Sequence, residues 1–203
     1  MKTKPGRPTR EQAQNASGGI VKAACVFFAR HGIKGTSNRQ IADEAGVTPA
    51  LVHYYFKDKA SLHMAVLESA FVPLLGKLQD VKELQDWVVA FHTHLIAHPW
   101  LPHLMIREVL SPDGELRPLF LAHFAPRIFG SLKTLANIEL QHSHVRAGLD
   151  VDRHAVLLIG MLVYPFLGPE VARNVTGRKF DKRMLEGFRD DALSLFMNGI
   201  RSV

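Results

Sequence analysis

Residues 41 to 59 read IADEAGVTPALVHYYFKDK. A single glycine, Gly46, separates two short helical pieces and can adopt the left-handed backbone that ends the first of them. That first piece has its own start signal upstream. Ser37 followed by Gln40 forms a capping box, in which each side chain satisfies the other's free backbone donor. The second piece starts at once, with Thr48 as N-cap and Pro49 at the first helical position, where a missing N–H costs nothing. It ends near Tyr55, and Asp58 can cap a further helix that begins at Lys59. Helix, tight turn, helix is the arrangement of a helix-turn-helix. Ala42 and Ala45 are small enough to let the two helices approach closely. Val47, Val52 and Phe56 can face a core, which leaves Thr48, Pro49, Ala50, His53 and Tyr54 to the outside.

Those outward groups have a common chemistry. Phenol, imidazole and ammonium groups all donate hydrogen bonds to phosphate oxygens. Lys59, in the first turn of a helix, adds its charge to the free N–H groups there. Thr36 and Ser37 open the earlier helix in the same way. The expectation is that the two helix starts grip the two backbones flanking one groove. Tyr54 and Tyr55 are also ordinary core aromatics by type, so at least one is expected to be partly buried with a wet end.

Working outward, the chain has 203 residues, 47% of them hydrophobic, enough for a sizeable core. Its formal charge of +6 is uneven. The first 60 residues hold 10 Lys/Arg against 4 Asp/Glu, and the remainder holds 15 of each. Such asymmetry points to a polyanion, either nucleic acid or an anionic membrane, and equally fits a solvated surface with a basic tail. The one cysteine, Cys25, cannot pair within the chain, which fits a reducing, cytoplasmic setting. The basic start MKTKPGRPTR has no apolar run behind it, so no signal peptide is visible. The most apolar stretch, from Ala155 to Gly168, is short and broken by Pro165, and predicts a buried helix rather than a membrane span.

Thr36 to Thr48 and His53-Tyr54-Tyr55-Phe56-Lys57-Asp58-Lys59 resemble the N-terminal domain of the TetR family of transcriptional regulators. Phe28-Ala29-Arg30-His31-Gly32 matches that domain's first helix. The resemblance covers roughly residues 17 to 65. It implies an all-helical homodimer that binds a palindromic double-stranded operator and is released by a small-molecule effector. Position by position, it implies phosphate contacts at Thr36, Thr48, Tyr55 and Lys59, and base contacts at Arg39, Pro49 and Ala50. The sequence departs from the family where lysine and glycine often stand at 49 and 50, and where tyrosine often stands at 53. His53 is a shorter donor that could gain charge below about pH 6.5.

The expected architecture is all-α, with about nine helices. Residues 1–16 form a flexible basic arm, of which Arg7 could enter a narrow minor groove. Residues 17–62 form the helix-turn-helix domain, with a first helix from Ser17 to His31 whose apolar face is Ile20, Ala24, Phe27 and Phe28. Residues 63–203 form a ligand-binding and dimerisation domain. Its helices are expected over Val81 to Ala97, Leu101 to Leu110, Glu115 to Ala147 with a kink at Pro126, Val151 to Leu167, and Asp181 to Ile200. Pro73 and Gly76 kink or end the helix that begins at Lys59. By the resemblance, the last two helices pair across the dimer; by their pattern alone, they fill the monomer core.

Aromatic, methionine and histidine residues gather at breaks in the helical pattern. Phe91, His94, His98, Trp100 and Met105 surround one break, Phe120, His123 and Phe124 precede Pro126, and Met161 and Tyr164 precede Pro165. Kinks open space between helices, and pockets there are mostly apolar with a few orienting polar groups. A hydrophobic effector is expected, with the histidines or Arg107 able to hold an acidic group. A packed core is the competing reading. His94 and His98 share a helical face at a spacing that suits zinc, the alternative of a metal-responsive regulator, but no cysteine or carboxylate joins them nearby. No metal site is therefore assigned. No glycine-rich phosphate loop, nucleophile elbow or paired cysteines are present, so no enzyme activity and no cofactor are expected. An architectural DNA-binding protein without an effector is the nearer rival; a membrane-surface or scaffold protein is the more distant one.

Overall fold

The computed structural model describes residues 10–142 and 150–200. Among them are eleven α-helices and one π-helical turn, with no strand. The N-terminal end holds α1 (Arg10–His31), α2 (Asn38–Glu44) and α3 (Pro49–Tyr55), and α4 (Lys59–Leu78) leads away from it. Then follow α5 (Leu84–Ala97), α6 (Leu101–Met105) with the π turn Ile106–Leu110, α7 (Arg117–His123) and α8 (Ala125–His142). The remaining helices are α9 (Val151–Leu167), α10 (Pro169–Thr176) and α11 (Lys182–Ile200).

Most boundaries follow local chemistry. Gly32 ends α1 and Gly46 ends α2, both with positive φ, and Ser37, Thr48 and Asp58 cap α2, α3 and α4. Four differences from the sequence reading have physical causes. First, α1 begins at Arg10, so part of the expected arm is helical; the remainder of that arm, with Arg7, lies outside the described residues. Second, α4 runs through Pro73 and Gly76 without ending. Pro73 lacks the N–H for the preceding turn and its ring crowds the carbonyls there. The carbonyl that loses its partner is that of Ser69. Beside it, the Ala70 carbonyl has a side-chain neighbour, His94 Nε2, at 2.8 Å.

Third, the expected long helix with a kink at Pro126 is two helices, α7 and α8, parted at Phe124. Pro126 sits in the first turn of α8, where no N–H is needed. Residues 143–147 of that expected helix lie outside the described residues. Fourth, α10 is not among the expected helices, although Pro169 at its first position and the left-handed Gly177 after it are ordinary helix punctuation.

One apolar cluster runs from α1 to α11. Trp87 is fully buried in it, stacked on Phe91 at 4.9 Å, and its indole N–H donates to Ser131 Oγ at 2.9 Å. Burying such a ring while keeping its one donor satisfied fixes α5 against α8. α1 packs on α2, α3, α4 and α6, so the first helix joins the N-terminal end to the rest. The sequence boundary between residues 62 and 63 falls inside α4. In the last helices, α9 packs on α11 and both leave apolar side chains outside, among them Leu157 and Leu195.

Candidate nucleic-acid interface

The helix starts are built as the sequence indicates. The Ser37 N–H donates to Gln40 Oε1 at 2.9 Å and the Gln40 N–H to Ser37 Oγ at 3.3 Å. The Leu51 N–H reaches Thr48 Oγ1 at 3.3 Å, and the Ser61 N–H reaches Asp58 Oδ1 at 2.7 Å. That last bond holds the Asp58 carboxyl below its ordinary pKa. Between α2 and α3 the turn closes through Val47 N–H to Ala42 C=O at 2.9 Å. Ala42 is fully buried, which is why no larger residue could stand there without parting the helices.

With Val52 buried beneath it, α3 turns Pro49, Ala50, His53 and Tyr54 to the outside. Tyr54 is 68% exposed; Tyr55 is half-buried, its ring edge-on to Tyr54 with centroids 5.3 Å apart. Ser37, Arg39, Thr48 and Lys59 are exposed and Thr36 is half-buried. The Thr36 hydroxyl donates to the Gly32 carbonyl at 2.7 Å, leaving its lone pairs free to accept.

A cleft of about 180 Å³ gathers several of these groups. Thr36, His53 and Lys59 line it together with apolar Phe28, Ile41, Val52 and Leu62. Thr36 and Lys59, expected on opposite sides of a groove, therefore face one common cleft. Asn38 and Lys57 line it too, and the sequence reading assigns them no role. Their signals are nonetheless present: Asn38 opens α2, and Lys57 precedes the cap of α4.

A second cavity lies farther along the chain, about 440 Å³, lined from α4 to α9. Of the residues expected in a pocket, Phe91, Met105, Phe120 and Tyr164 line it. His94, His98, Trp100, Arg107, His123, Phe124 and Met161 do not, and no charged side chain is among its walls. The acid-holding role expected of the histidines and Arg107 has no place in this cavity. His94 is buried against Ala70, and burial drives its pKa down to about 4, helped by neighbouring His98. His98 Nδ1 sits 2.9 Å from the His94 carbonyl. Phe124 packs against Phe71 at 5.4 Å, His123 is exposed, and Arg107 is exposed beside Gly32. Leu101, Ile106, Leu110, Ile159 and Gly160 are also in the walls; as ordinary helix residues they carry no signal that sequence could offer. Among the described residues no group of three or more His, Cys, Asp or Glu gathers as metal ligands, and no single helix is long and apolar enough to cross a membrane.

Comparison with known proteins accords with this geometry. Residues 20–66 match the family model described as bacterial regulatory proteins, tetR family. The chain is similar to the HTH-type transcriptional regulator TtgR of Pseudomonas putida, 38% identical over 63 residues, which is 31% of this chain and 30% of that protein. The chain thus aligns with less than a third of the length of that relative. A longer likeness is to the HTH-type transcriptional repressor NicS, also of Pseudomonas putida, 23% identical over 173 residues and 81% of each chain. Among solved structures, the regulator PfmR of Thermus thermophilus shares the fold with a TM-score of 0.67 at 18% identity, over 90% of this chain and 99% of that one.

Proposed function

Because the chain belongs to the TetR family of bacterial regulators, we propose that it is a DNA-binding transcriptional repressor, released from a near-palindromic operator when a small apolar molecule enters the cavity lined from α4 to α9. The observation that carries this reading is the exposed face of α3 with the polar cleft beside it. A seven-residue helix held by a buried Val52 presents Pro49, Ala50, His53 and Tyr54, and such a helix fits the width of a major groove. Thr36, Lys57 and Lys59 from the cleft would hold one phosphate strand, with Asn38 beside them. Thr48 and Tyr55 supply further phosphate donors. Arg39 is the base reader, since a guanidinium can give guanine two hydrogen bonds at once.

The chain acts as a homodimer in this reading. Leu157 on α9 and Leu195 on α11, 61% and 67% exposed, need cover, and a second copy's α9 and α11 would supply it. Two α3 helices would then lie about one DNA turn apart, roughly 34 Å. The effector is apolar and uncharged, because the cavity offers aromatic and aliphatic walls and no counter-ion. For regulation, the effector must bind the DNA-incompetent state more tightly, since equal affinity shifts nothing.

Selection of bound sequences from random duplex DNA tests the reading. A near-palindrome with half-sites about one turn apart is expected. Binding without sequence preference, or by a stable monomer to one half-site, would overturn it.

A further inference from the structure

The π turn Ile106–Leu110 joins the cavity wall to the end of α1 within one short segment. Ile106 and Leu110, four residues apart, share a face and line the cavity, as does Met105 just before them. Between them Glu108 points the other way and is buried, 6% exposed. Its Oε1 accepts the Ile33 N–H at 2.8 Å, across 75 residues of sequence, and its Oε2 lies 3.4 Å from the Glu115 N–H. Ile33 follows Gly32, whose carbonyl holds the Thr36 hydroxyl, and the Ile33 carbonyl accepts the Thr36 N–H at 3.2 Å. The carboxylate therefore sits one hydrogen bond from Ile33, which lines the polar cleft, and two from Thr36.

The segment is held together by hydrogen bonds along its length. The Ser111 N–H closes the turn on the Ile106 carbonyl at 2.9 Å. Arg117 donates from Nε to the Val109 carbonyl at 2.7 Å and from Nη2 to the Leu110 carbonyl at 2.8 Å, and it also reaches the Ser111 carbonyl. The Leu116 N–H donates to the Glu108 carbonyl at 3.0 Å, where Gly114 leaves room: a Cβ there would crowd that same oxygen. At the other end the fit is equally close. A Cβ on Gly32, itself at φ +75°, would meet Glu108 Oε1 at 3.1 Å and Arg107 Cδ at 3.2 Å. A shift of Ile106 and Leu110 has little slack before it is felt at Ile33. π turns inside helices recur at functional sites for this reason: the widened turn aims side chains that a regular helix could not.

We propose that Glu108 is the positioning residue through which occupancy of the apolar cavity is felt at the DNA-facing end, an inference that rests on the cavity being the effector site. A purely structural tie would merely satisfy the Ile33 N–H. A coupling tie must also set how far DNA affinity responds to the cavity.

The test uses the full chain, the operator recovered by selection, and the uncharged fluorophore N-phenyl-1-naphthylamine as cavity probe. Gly160→Leu, which projects a side chain into the cavity, controls for where the probe binds. In the wild type the probe is expected to weaken operator affinity by about tenfold. Glu108→Gln keeps an acceptor for the Ile33 N–H and should keep that ratio. Glu108→Ala should bind the probe as the wild type does while the ratio falls below about twofold. Full coupling in Glu108→Ala would overturn the proposal and leave the cavity reading standing. A wild type that binds the probe with no change in DNA affinity would overturn both. Should Glu108→Ala fail to fold, amide exchange on the wild type decides. Saturating probe should change Ile33 exchange at least about tenfold while fully buried Ile20 is unmoved, and an unmoved Ile33 overturns the proposal.

Discussion

The helix-turn-helix end and the cavity-bearing end of this chain use helices in opposite ways. α2 and α3 are seven residues each, are held by side-chain caps, and turn polar groups outward from a thin buried seam of Ile41, Ala42 and Val52. α5, α8 and α9 are 14, 18 and 17 residues long and turn apolar groups both into the core and into the cavity. Short helices cannot stand alone, so their stability is borrowed from caps and from α1. Longer helices with wide apolar faces rest mainly on packing, and among these three only α9 has a side-chain N-cap described, Asp150 accepting from the Arg153 N–H at 3.1 Å. Punctuation therefore specifies the first region, and volume specifies the second. Substitutions should separate the two accordingly.

The largest effect of a single substitution is expected in the second region. Trp87→Ala removes a fully buried ring from the centre of the core and should destabilise the fold by about 3–5 kcal/mol, read as a shift in the denaturant midpoint at unchanged slope. If so large a loss instead follows Val52→Ala in α3, the division of labour is wrong.

Acid should act next, and again on the second region. His92 and His94 are buried in α5, and burial lowers both pKa values from 6.5 to about 4; for His92 nearby Arg189 adds to the effect. Neither ring nitrogen of His92 has a hydrogen-bond partner among the described residues. Between pH 6.5 and 4 the unfolded chain binds protons that the folded chain refuses. Stability is therefore full above about pH 6.5 and falls as pH drops towards 4, by up to about 3 kcal/mol for each histidine. His92→Leu should flatten that pH dependence in equilibrium unfolding; an unchanged slope would show that His92 does not titrate as its burial requires.

Capping should give a smaller loss, confined to the first region. Ser37→Ala breaks the side-chain half of the capping box and should cost about 1 kcal/mol, with amide exchange in α2 rising more than in α5. The smallest expected change in stability, near zero, belongs to exposed Lys59→Ala. It should instead weaken all duplexes alike and reduce the salt dependence of binding by about one ion. A change in sequence preference with the salt slope intact would mean that Lys59 reads bases.

The same division explains what is legible in the sequence. Ser37, Gln40, Gly46, Thr48, Pro49 and Asp58 each act through their own neighbours, so their roles can be read in order along the chain, and the helices start where they indicate. α9 and α11 are visible as periodic apolar runs. The cavity is not. Phe91, Met105, Phe120 and Tyr164 are marked by their type and by nearby helix breaks, yet His94 and His98 stand at the same break and turn towards backbone carbonyls instead. Which face a residue of α5 shows to the cavity depends on how α5 packs against α4, α8 and α9, a property of the assembled fold. Glu108 is the sharpest case. In sequence it is one carboxylate beside Arg107; only the fold brings it to Ile33.

In the proposed mechanism, filling the apolar cavity governs how the helix-turn-helix end holds its operator. Operator affinity measured as N-phenyl-1-naphthylamine titrates the cavity of the wild-type chain, with occupancy followed by fluorescence in the same sample, decides whether it does. Affinity should fall by about tenfold and level off as the cavity saturates, with Gly160→Leu unresponsive. Complete occupancy with operator affinity unchanged would contradict it.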